Sequence, residues 1–334
     1  MDKIKVNLSY LCYSTLLHDA EAFNILKKNG EVNMNYFYNE VIVHLYEKRW
    51  NSINQIKKHY NDYLSKYLPE EKLDTIVNDI TKSIYDNYND LSKQYHANSI
   101  LIRPRKEYEI IFETIIENHL SNDTISNYFR SLFLEYSSLN QDDRELLLFE
   151  KIVDDINKAI TSNSKVKLKI NDEYVIFAPY CISATKEKLY NFVIGSVKDR
   201  NIKKIIPIHL YKIKQVLPLK ESYFFSKQEI ASIENMILQG PQYFINNYCS
   251  ACIQLTYIGQ KKWKKMYLNR PIPYLIEENK YFFECSFEQL FQYFIRFGKE
   301  VTVIYPNQLK NALIKFHQEA YLSLTNQIEE IKNK

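Results

Sequence analysis

The residues best suited to chemistry in this sequence form the stretch QKKWKKMYLNR. Four lysines surround one tryptophan and an arginine follows them, at Lys261, Lys262, Trp263, Lys264, Lys265 and Arg270. Such cations neutralise phosphates while an interleaved ring stacks on a base, so the pattern favours binding to a single-stranded nucleic acid. A solvated hairpin whose tryptophan packs into the core has the same pattern, and the sequence leaves both interpretations open.

Residues suited to catalysis are sparse by comparison. The seven histidines are isolated from one another, and the sequence has no His-x-x-x-His, no Gly-x-Ser-x-Gly and no phosphate-binding glycine loop. It also lacks the Arg-x4-His signature of common HEPN-type ribonucleases. We therefore expect a protein that is not an enzyme.

The five cysteines indicate neither a metal site nor a disulfide framework. Cys249 and Cys252 form a CxxC pair without a second cysteine pair or a histidine pair nearby, so we expect buried thiols and no metal or other cofactor. Few, scattered cysteines are typical of a reducing compartment. No apolar stretch could span a membrane and no signal-peptide pattern begins the chain, so we expect a cytoplasmic protein without a membrane partner.

The positive charge is concentrated in the second half of the chain. Residues 1–160 carry 19 basic and 25 acidic side chains, for a net charge of −6. Residues 161–334 carry 25 basic and 15 acidic side chains, for a net charge of +10. A basic half indicates a polyanionic partner.

The N-terminal elements follow from periodicity. In KIKVNLS, apolar and polar residues alternate, which predicts a strand with one dry face and one basic, hydrogen-bonding face. Two amphipathic helices follow, separated by the turn KKNG, and Asn33 is placed to cap the second helix. The pattern recurs: SILIRPRKEY and a helical stretch precede NYFRSLFLEY, which echoes the earlier NYFYNEVIVHLY.

This strand–helix–helix pattern resembles the ribbon-helix-helix proteins over residues 1–50. A possible second unit covers 99–139, within a helical spacer of 51–163. The first strand would pair either with the second unit's strand or with its own copy in a homodimer. An all-helical N-terminal region is the rival interpretation, because Asn, Tyr and Phe are abundant throughout the chain.

The ribbon-helix-helix resemblance also implies site residues. In that family a two-stranded ribbon enters the DNA major groove, and the N-terminus of the second helix holds a phosphate. The residues implied here are Lys3, Lys5 and Asn7 on the ribbon, and Asn33 and Asn35 at the helix.

From Lys165 the hydrophobic period changes to two, which predicts short strands in a small barrel or sandwich. Residues 164–222 resemble a WYL domain, an SH3-like β-barrel, in their order of elements. The sequence has Leu189-Tyr190-Asn191 where the family has Trp-Tyr-Leu, and Ile206 where it has an arginine. The resemblance implies a basic and aromatic groove for nucleic acid or nucleotide-like effectors, formed here by Tyr180, Tyr190, His209 and Lys212.

Residues 249–334 resemble the C-terminal extension that follows WYL domains, joined through a linker helix within 223–248. The resemblance is carried by a strand pair, a helix ending at Phe297-Gly298, a strand reaching Tyr305-Pro306 and a last helix. It implies contacts between two copies of the chain, and hence a homodimer.

Together these resemblances predict an α+β protein that binds nucleic acid without catalysis. The combination of a ribbon-helix-helix region with a WYL domain resembles the accessory proteins of type VI-D CRISPR systems, which implies binding to single-stranded RNA and to an RNA-guided effector nuclease. The alternatives are a DNA-binding transcriptional regulator and a sensor that binds a nucleotide effector in the WYL barrel. A protein that bridges other proteins, with incidental basic surface, is a third possibility.

Overall fold

The computed structural model describes residues 3–69, 72–81, 83, 98–119, 124–199, 202–243 and 248–332. It has a mixed α+β architecture with three antiparallel sheets in the described part of the chain, which confirms the predicted class. The chain divides into two compact units, residues 1–151 and 152–334.

The first unit contains two strand–helix–helix repeats. The first consists of β1 (Ile4–Leu8), α1 (Tyr10–Ala22) and α2 (Met34–Leu64). After helical residues 72–81 (α3), the second repeat consists of β2 (Asn98–Ile102), α4 (Glu109–His119) and α5 (Ile125–Ser138). Residues 84–97 of the predicted helical spacer lie outside the described residues. Helix α6 (Gln141–Leu148) completes the unit's described elements.

Strands β1 and β2 pair antiparallel within the chain, with Val6 opposite Ile100 and Lys5 opposite Leu101. This pairing is one of the two alternatives that the sequence left open. It also removes one argument for a homodimer, because the ribbon needs no second copy when one chain supplies both strands. Helix α2 continues without a break past residue 50, where the predicted ribbon-helix-helix region ends.

Aromatic side chains from both repeats build the core of the first unit. Phe37 and Phe129, the phenylalanines of the two NYF stretches, are fully buried. Phe37 packs edge-on against Tyr136 and Phe129 against Phe112, with ring centroids 5.9 and 5.5 Å apart. The internal echo in the sequence therefore marks equivalent positions, at the start of the second helix of each repeat.

The second unit begins with helix α7 (Glu150–Thr161), inside which the division of the chain falls. The end of the predicted helical spacer thus consists of two helices, α6 and α7, which meet at Phe149. A five-stranded sheet follows, with the spatial order β6-β5-β4-β3-β7. Its strands are β3 (Ser164–Ile170), β4 (Glu173–Ala184), β5 (Asn191–Asp199), β6 (Ile202–His209) and β7 (Ile213–Ser222).

Helix α8 (Lys227–Gln239) packs on this sheet. It begins with a capping box, in which the Ser226 hydroxyl accepts from the Glu229 amide and the Glu229 carboxylate accepts from the Ser226 amide. Its Ile233 and Met236 lie in one buried cluster with Phe192 and Ile194 of β5. The predicted linker segment is therefore a helix that covers one side of the sheet.

The rest of the second unit is a four-stranded antiparallel sheet with helices, in the spatial order β11-β8-β10-β9. Its elements are β8 (Tyr248–Leu255), α9 (Tyr257–Lys265), β9 (Leu275–Glu277), β10 (Lys280–Ser286), α10 (Phe287–Phe294), β11 (Val301–Tyr305) and α11 (Asn307–Lys332). The strand reaching Tyr305 is present, but α10 ends at Phe294, before the predicted stop at Phe297-Gly298. A 3₁₀ segment, Ile295–Glu300, follows α10, and Gly298 interrupts it with φ +57°. The stretch expected as a basic hairpin is instead helix α9.

Candidate nucleic-acid interface

The β1–β2 ribbon has one buried and one exposed face. Val6 and Leu8 are completely buried, while Lys3, Lys5 and Asn7 are exposed. Strand β2 adds exposed Ser99 and Leu101 to the same face, opposite Asn7 and Lys5. The alternation in KIKVNLS therefore predicted the two faces correctly, and the ribbon presents amine, amide and hydroxyl groups outward.

The two asparagines predicted to lie near a phosphate are used within the protein. Asn33 caps α2, and its side chain accepts from the Tyr36 amide at 3.3 Å. The Asn35 side chain donates to the Arg103 carbonyl at 3.0 Å and accepts from the Arg103 amide at 2.8 Å. Asn35 therefore fixes the backbone after β2, so it has less capacity to hold a phosphate than the resemblance implies.

The second repeat holds the ribbon in an equivalent way. The Arg130 guanidinium of α5 donates to the Asn7 carbonyl at 2.6 Å and to the Asn127 side chain at 2.7 Å. Each second helix thus binds backbone of the opposite repeat, with Asn35 of α2 bound to Arg103 just after β2 and Arg130 of α5 bound to Asn7 in β1. The ribbon is a rigid, outward-facing element, which is what a groove-binding strand pair requires.

The residues predicted from the WYL resemblance lie at two places on the five-stranded sheet. Tyr190 and His209 are together, with ring centroids 5.7 Å apart, and Tyr211 is 5.0 Å from His209. Tyr180 instead packs against Phe225, 5.0 Å away. Both predicted tyrosines border the cluster covered by α8. Their rings are therefore partly enclosed by the protein itself.

His209 does not supply the positive charge expected of it. Burial, with a smaller contribution from the charge of Lys212, lowers the pKa of His209 to about 4. Its ring lies 4.1 Å from that of Phe192, and its Nδ1 is buried without a hydrogen-bond partner. The ring is consequently neutral at pH 7, and of the two predicted cations only the exposed Lys212 can neutralise a phosphate.

Trp263 is part of the core of the second unit. Its ring is 8% exposed and is surrounded by four other rings, with the Phe294 ring stacked at 6.0 Å. The enclosing residues are Tyr281, Phe283, Tyr293 and Phe294. The prediction that Trp263 stacks on a base does not fit this position, because tertiary packing already covers the ring.

Some of the cations around Trp263 are exposed, and others are hydrogen-bonded to backbone carbonyls. Lys261, Lys264 and Lys265 are exposed. Lys262 donates to the Arg296 carbonyl at 3.2 Å, and Arg270 donates to the Trp263 carbonyl at 3.2 Å. The three exposed lysines remain available to a polyanion, whereas Arg270 binds a carbonyl in the last turn of α9 and Lys262 ties α9 to the segment after α10.

A basic face of the five-stranded sheet was not among the predicted sites. Lys167 and Lys169 on β3 alternate with the fully buried Val166 and Leu168, so their side chains leave the sheet on the outer side. Tyr174 on β4 lies directly opposite Lys169. The signal was present in the sequence as the alternation of KVKLKI, which we used only to assign a strand.

No group of three or more His, Cys, Asp or Glu side chains that could hold a metal occurs among the described residues. Cys249 and Cys252 are three apart on β8, so their side chains leave the strand on opposite faces, and both thiols are free. Within the same part of the chain, no helix combines the length and the apolar character needed to cross a bilayer.

Comparison with known proteins gives a fold match. No protein-family model and no curated protein matches the sequence. A solved structure described as a CRISPR Cas-related protein is similar with a TM-score of 0.75 and 16% sequence identity, over 98% of this chain and 95% of that one. The proteasome accessory factor B/C of Arthrobacter aurescens aligns over 65% of this chain and 37% of that chain, at 13% identity and a TM-score of 0.26, which is too low to support an argument. The chain therefore shares its fold, nearly end to end, with the CRISPR Cas-related protein.

Proposed function

We propose that this chain is a non-catalytic nucleic-acid-binding protein whose main ligand is single-stranded RNA. The observation that carries the proposal is the placement of positive charge. Residues 164–222, which form the five-stranded sheet, have twelve Lys and Arg against five Asp and Glu. A polyanion gains affinity from such a surface by releasing counterions, whatever its sequence.

The architecture supports the finer classification. Two strand–helix–helix repeats that share an antiparallel ribbon have the arrangement of a ribbon-helix-helix dimer, supplied here by one chain. In the five-stranded sheet, four consecutive strands form a meander and β7 returns beside β3. That order of short antiparallel strands supports an SH3-like barrel of the WYL type.

The proposed biological setting is a CRISPR system. The fold neighbour is described as a CRISPR Cas-related protein, and the likeness covers nearly the whole of both chains. Together with the ribbon-helix-helix and WYL resemblances, this supports an accessory protein that modulates a type VI-D RNA-guided nuclease. The nuclease is then a protein partner, and RNA is the shared ligand.

A DNA-binding transcriptional regulator is the second candidate, and the ribbon favours it. Lys5 and Asn7 project from a rigid, exposed strand pair, and amine and amide groups of this kind contact base edges in the major groove. A nucleotide-effector sensor receives less support, because His209 is neutral and Ile206 replaces the family's arginine.

We also propose a homodimer formed outside the ribbon. Helix α11 leaves four large apolar side chains exposed, Phe316, Tyr321, Leu322 and Leu324, and so much exposed apolar area on one helix is unusual for a free surface. Analytical ultracentrifugation of the purified chain tests this, and a monomer at all accessible concentrations would contradict it.

The test of the main proposal is a binding titration with single-stranded RNA, single-stranded DNA and duplex DNA of equal length, at two salt concentrations. We expect the tightest binding to single-stranded RNA, with affinity that falls steeply as salt rises. Preference for duplex DNA would replace the proposal with the regulator. Binding that ignores salt, or no binding, would overturn both and favour a protein-bridging role.

A further inference from the structure

The outer face of the five-stranded sheet presents two cations beside an exposed ring. The Tyr174 ring is 47% exposed, and the Lys167 and Lys169 ammonium groups lie 4.7 and 5.9 Å from its centroid. The Tyr174 hydroxyl is 3.4 Å from the Gln215 side-chain oxygen on β7. Three adjacent strands thus contribute to one small surface, which we call the β3 face.

Apolar side chains extend the β3 face in one direction. Ile176 and Leu217 lie opposite Lys167 on the two neighbouring strands and are 53% and 36% exposed. A lysine between two exposed aliphatic groups gives flat apolar area next to a charge. This is the combination that a nucleotide needs, since its base is apolar on both faces and its phosphate is anionic.

The β3 face is rigid because its other side is core. Val166, Leu168 and Phe177 are completely buried beneath it, and β3 is paired along its length with both β4 and β7. Side chains on such strands are held in place more precisely than side chains on loops. A base that stacks on this surface meets a preformed platform.

The two lysines have no acidic partner among the described residues, whereas the neighbouring Lys165 pairs with Glu221 at 2.7 Å. Their charge is therefore free to neutralise a phosphate. The sheet that carries them has the largest excess of basic residues in the chain, with twelve against five acidic ones. This charge selects an anionic ligand, and the exposed ring selects one with an unstacked base.

We propose that the β3 face, made by Lys167, Lys169, Tyr174, Ile176 and Leu217, is the single-stranded RNA site of this protein. A base stacks on Tyr174 and along the aliphatic side chains, and the flanking phosphates lie against the two ammonium groups. This inference rests on the proposed RNA-binding function and adds the surface that carries it. It places the site on the five-stranded sheet, whereas the basic helix α9 belongs to the part of the unit built on the four-stranded sheet.

The experiment compares matched variants of the full chain in a fluorescence-anisotropy titration with a labelled oligouridylate of about 12 nucleotides. Tyr174→Ala removes the platform, and Tyr174→Phe keeps the ring. The double variant Lys167→Gln/Lys169→Gln removes two charges. Tyr267→Ala is the control, because Tyr267 is 70% exposed and lies outside the β3 face. Lys264→Gln/Lys265→Gln tests the rival site, because both lysines are exposed on α9.

We expect Tyr174→Ala to weaken binding about 5- to 150-fold, the range for loss of one stacked base, and Tyr174→Phe to restore it. The β3 double variant should weaken binding and reduce the slope of log affinity against log salt by about 1.4, for two lost phosphate contacts. Tyr267→Ala should bind like the parent, and the α9 double variant should lose less affinity than the β3 double variant. Circular dichroism and thermal unfolding verify that each variant is folded, which its exposed position favours.

The possible failures are distinct. If the parent chain binds no single-stranded RNA, the proposed function itself fails. If the parent binds and the β3 variants match it while the α9 variants lose affinity, the inference about the β3 face is overturned and the function stands. If both lysine pairs matter equally and Tyr174→Ala has no effect, binding is purely electrostatic and the stacking platform is refuted. If duplex DNA depends on the β3 face as strongly as RNA does, its assignment to single strands is wrong.

Discussion

Acidification should destabilise the second unit through one residue, His209. Its ring is packed among the rings of Phe192, Tyr190 and Tyr211, and its Nδ1 is buried without a hydrogen-bond partner. Burial and the charge of Lys212 lower the pKa from 6.5 to about 4. The unfolded chain therefore binds a proton at a pH where the folded chain does not.

The sign and the size of the effect follow from proton linkage. Because the unfolded state holds more protons between about pH 4 and 6.5, the free energy of unfolding falls as the pH is lowered through that window. Without screening by solvent, a pKa shift of this size corresponds to about 3 kcal/mol in the free energy of unfolding. Water around a ring that is only partly enclosed screens the effect, so we expect about 1–2 kcal/mol.

The assay uses the two tryptophans of the chain, Trp50 in the first unit and Trp263 in the core of the second. In a Trp50→Phe background, fluorescence during urea unfolding reports on the second unit alone. The comparison is between His209 and the variant His209→Phe, measured at about pH 5 and about pH 7.5. Phenylalanine keeps the aromatic packing and removes the unpartnered nitrogen, so its cost at neutral pH should be small.

We expect the parent to lose more stability on acidification than His209→Phe, by about 1–2 kcal/mol. Equal losses in the two proteins would refute the reasoning, because other groups would then account for the pH dependence. A parent that gains stability as the pH falls would show that His209 is protonated in the fold. In that case His209 would regain its predicted role as a cation for phosphate.

Three further outcomes are expected. Burial lowers the pKa of His44, but its hydrogen bond and charge interaction with Glu40 and the charge of Glu150 outweigh burial and raise the pKa. The stability that protonated His44 contributes is therefore full below about pH 6.5 and is lost as the pH rises through the pKa of the folded state. Urea unfolding followed by Trp50 fluorescence should show the first unit losing stability as the pH rises, and His44→Gln should reduce this pH dependence. Asp19→Ala should destabilise the same unit by about 3–5 kcal/mol in that assay, because it leaves the buried guanidinium of Arg144 without its carboxylate, and a loss below about 1 kcal/mol would contradict a buried pair. Trp263→Ala should cost about 3–5 kcal/mol in urea unfolding followed by circular dichroism; a folded, fully stable variant with weakened RNA binding would return Trp263 to the interface.

The elements of this fold could be predicted wherever local pattern determines them. Strict alternation predicted β1 and β3, and the helix cap at Asn33 is where the sequence indicates it. The internal repeat was visible because the same residues start the second helix of each repeat. These features depend on neighbours in sequence, so a sequence contains enough to find them.

The candidate site was harder to predict because exposure is decided by distant residues. The residues next to Trp263 in the sequence do not indicate that its ring is enclosed by Tyr281 and Tyr293, which come later in the chain. His209 likewise has a lysine three residues later and resembles a basic position, yet burial, to which Phe192 of another strand contributes, keeps it neutral. Lysines around a tryptophan therefore indicate a charged helix surface as readily as a binding hairpin.

The single-chain ribbon has a consequence for the symmetry of any duplex target. A ribbon built from two identical chains presents the same side chains twice and matches a palindromic site. Here β1 presents Lys5 and Asn7 while β2 presents Leu101 and Ser99 opposite them. The two ends of the ribbon are therefore chemically different, so a duplex bound by it need have no dyad, and one chain contains everything required to occupy it.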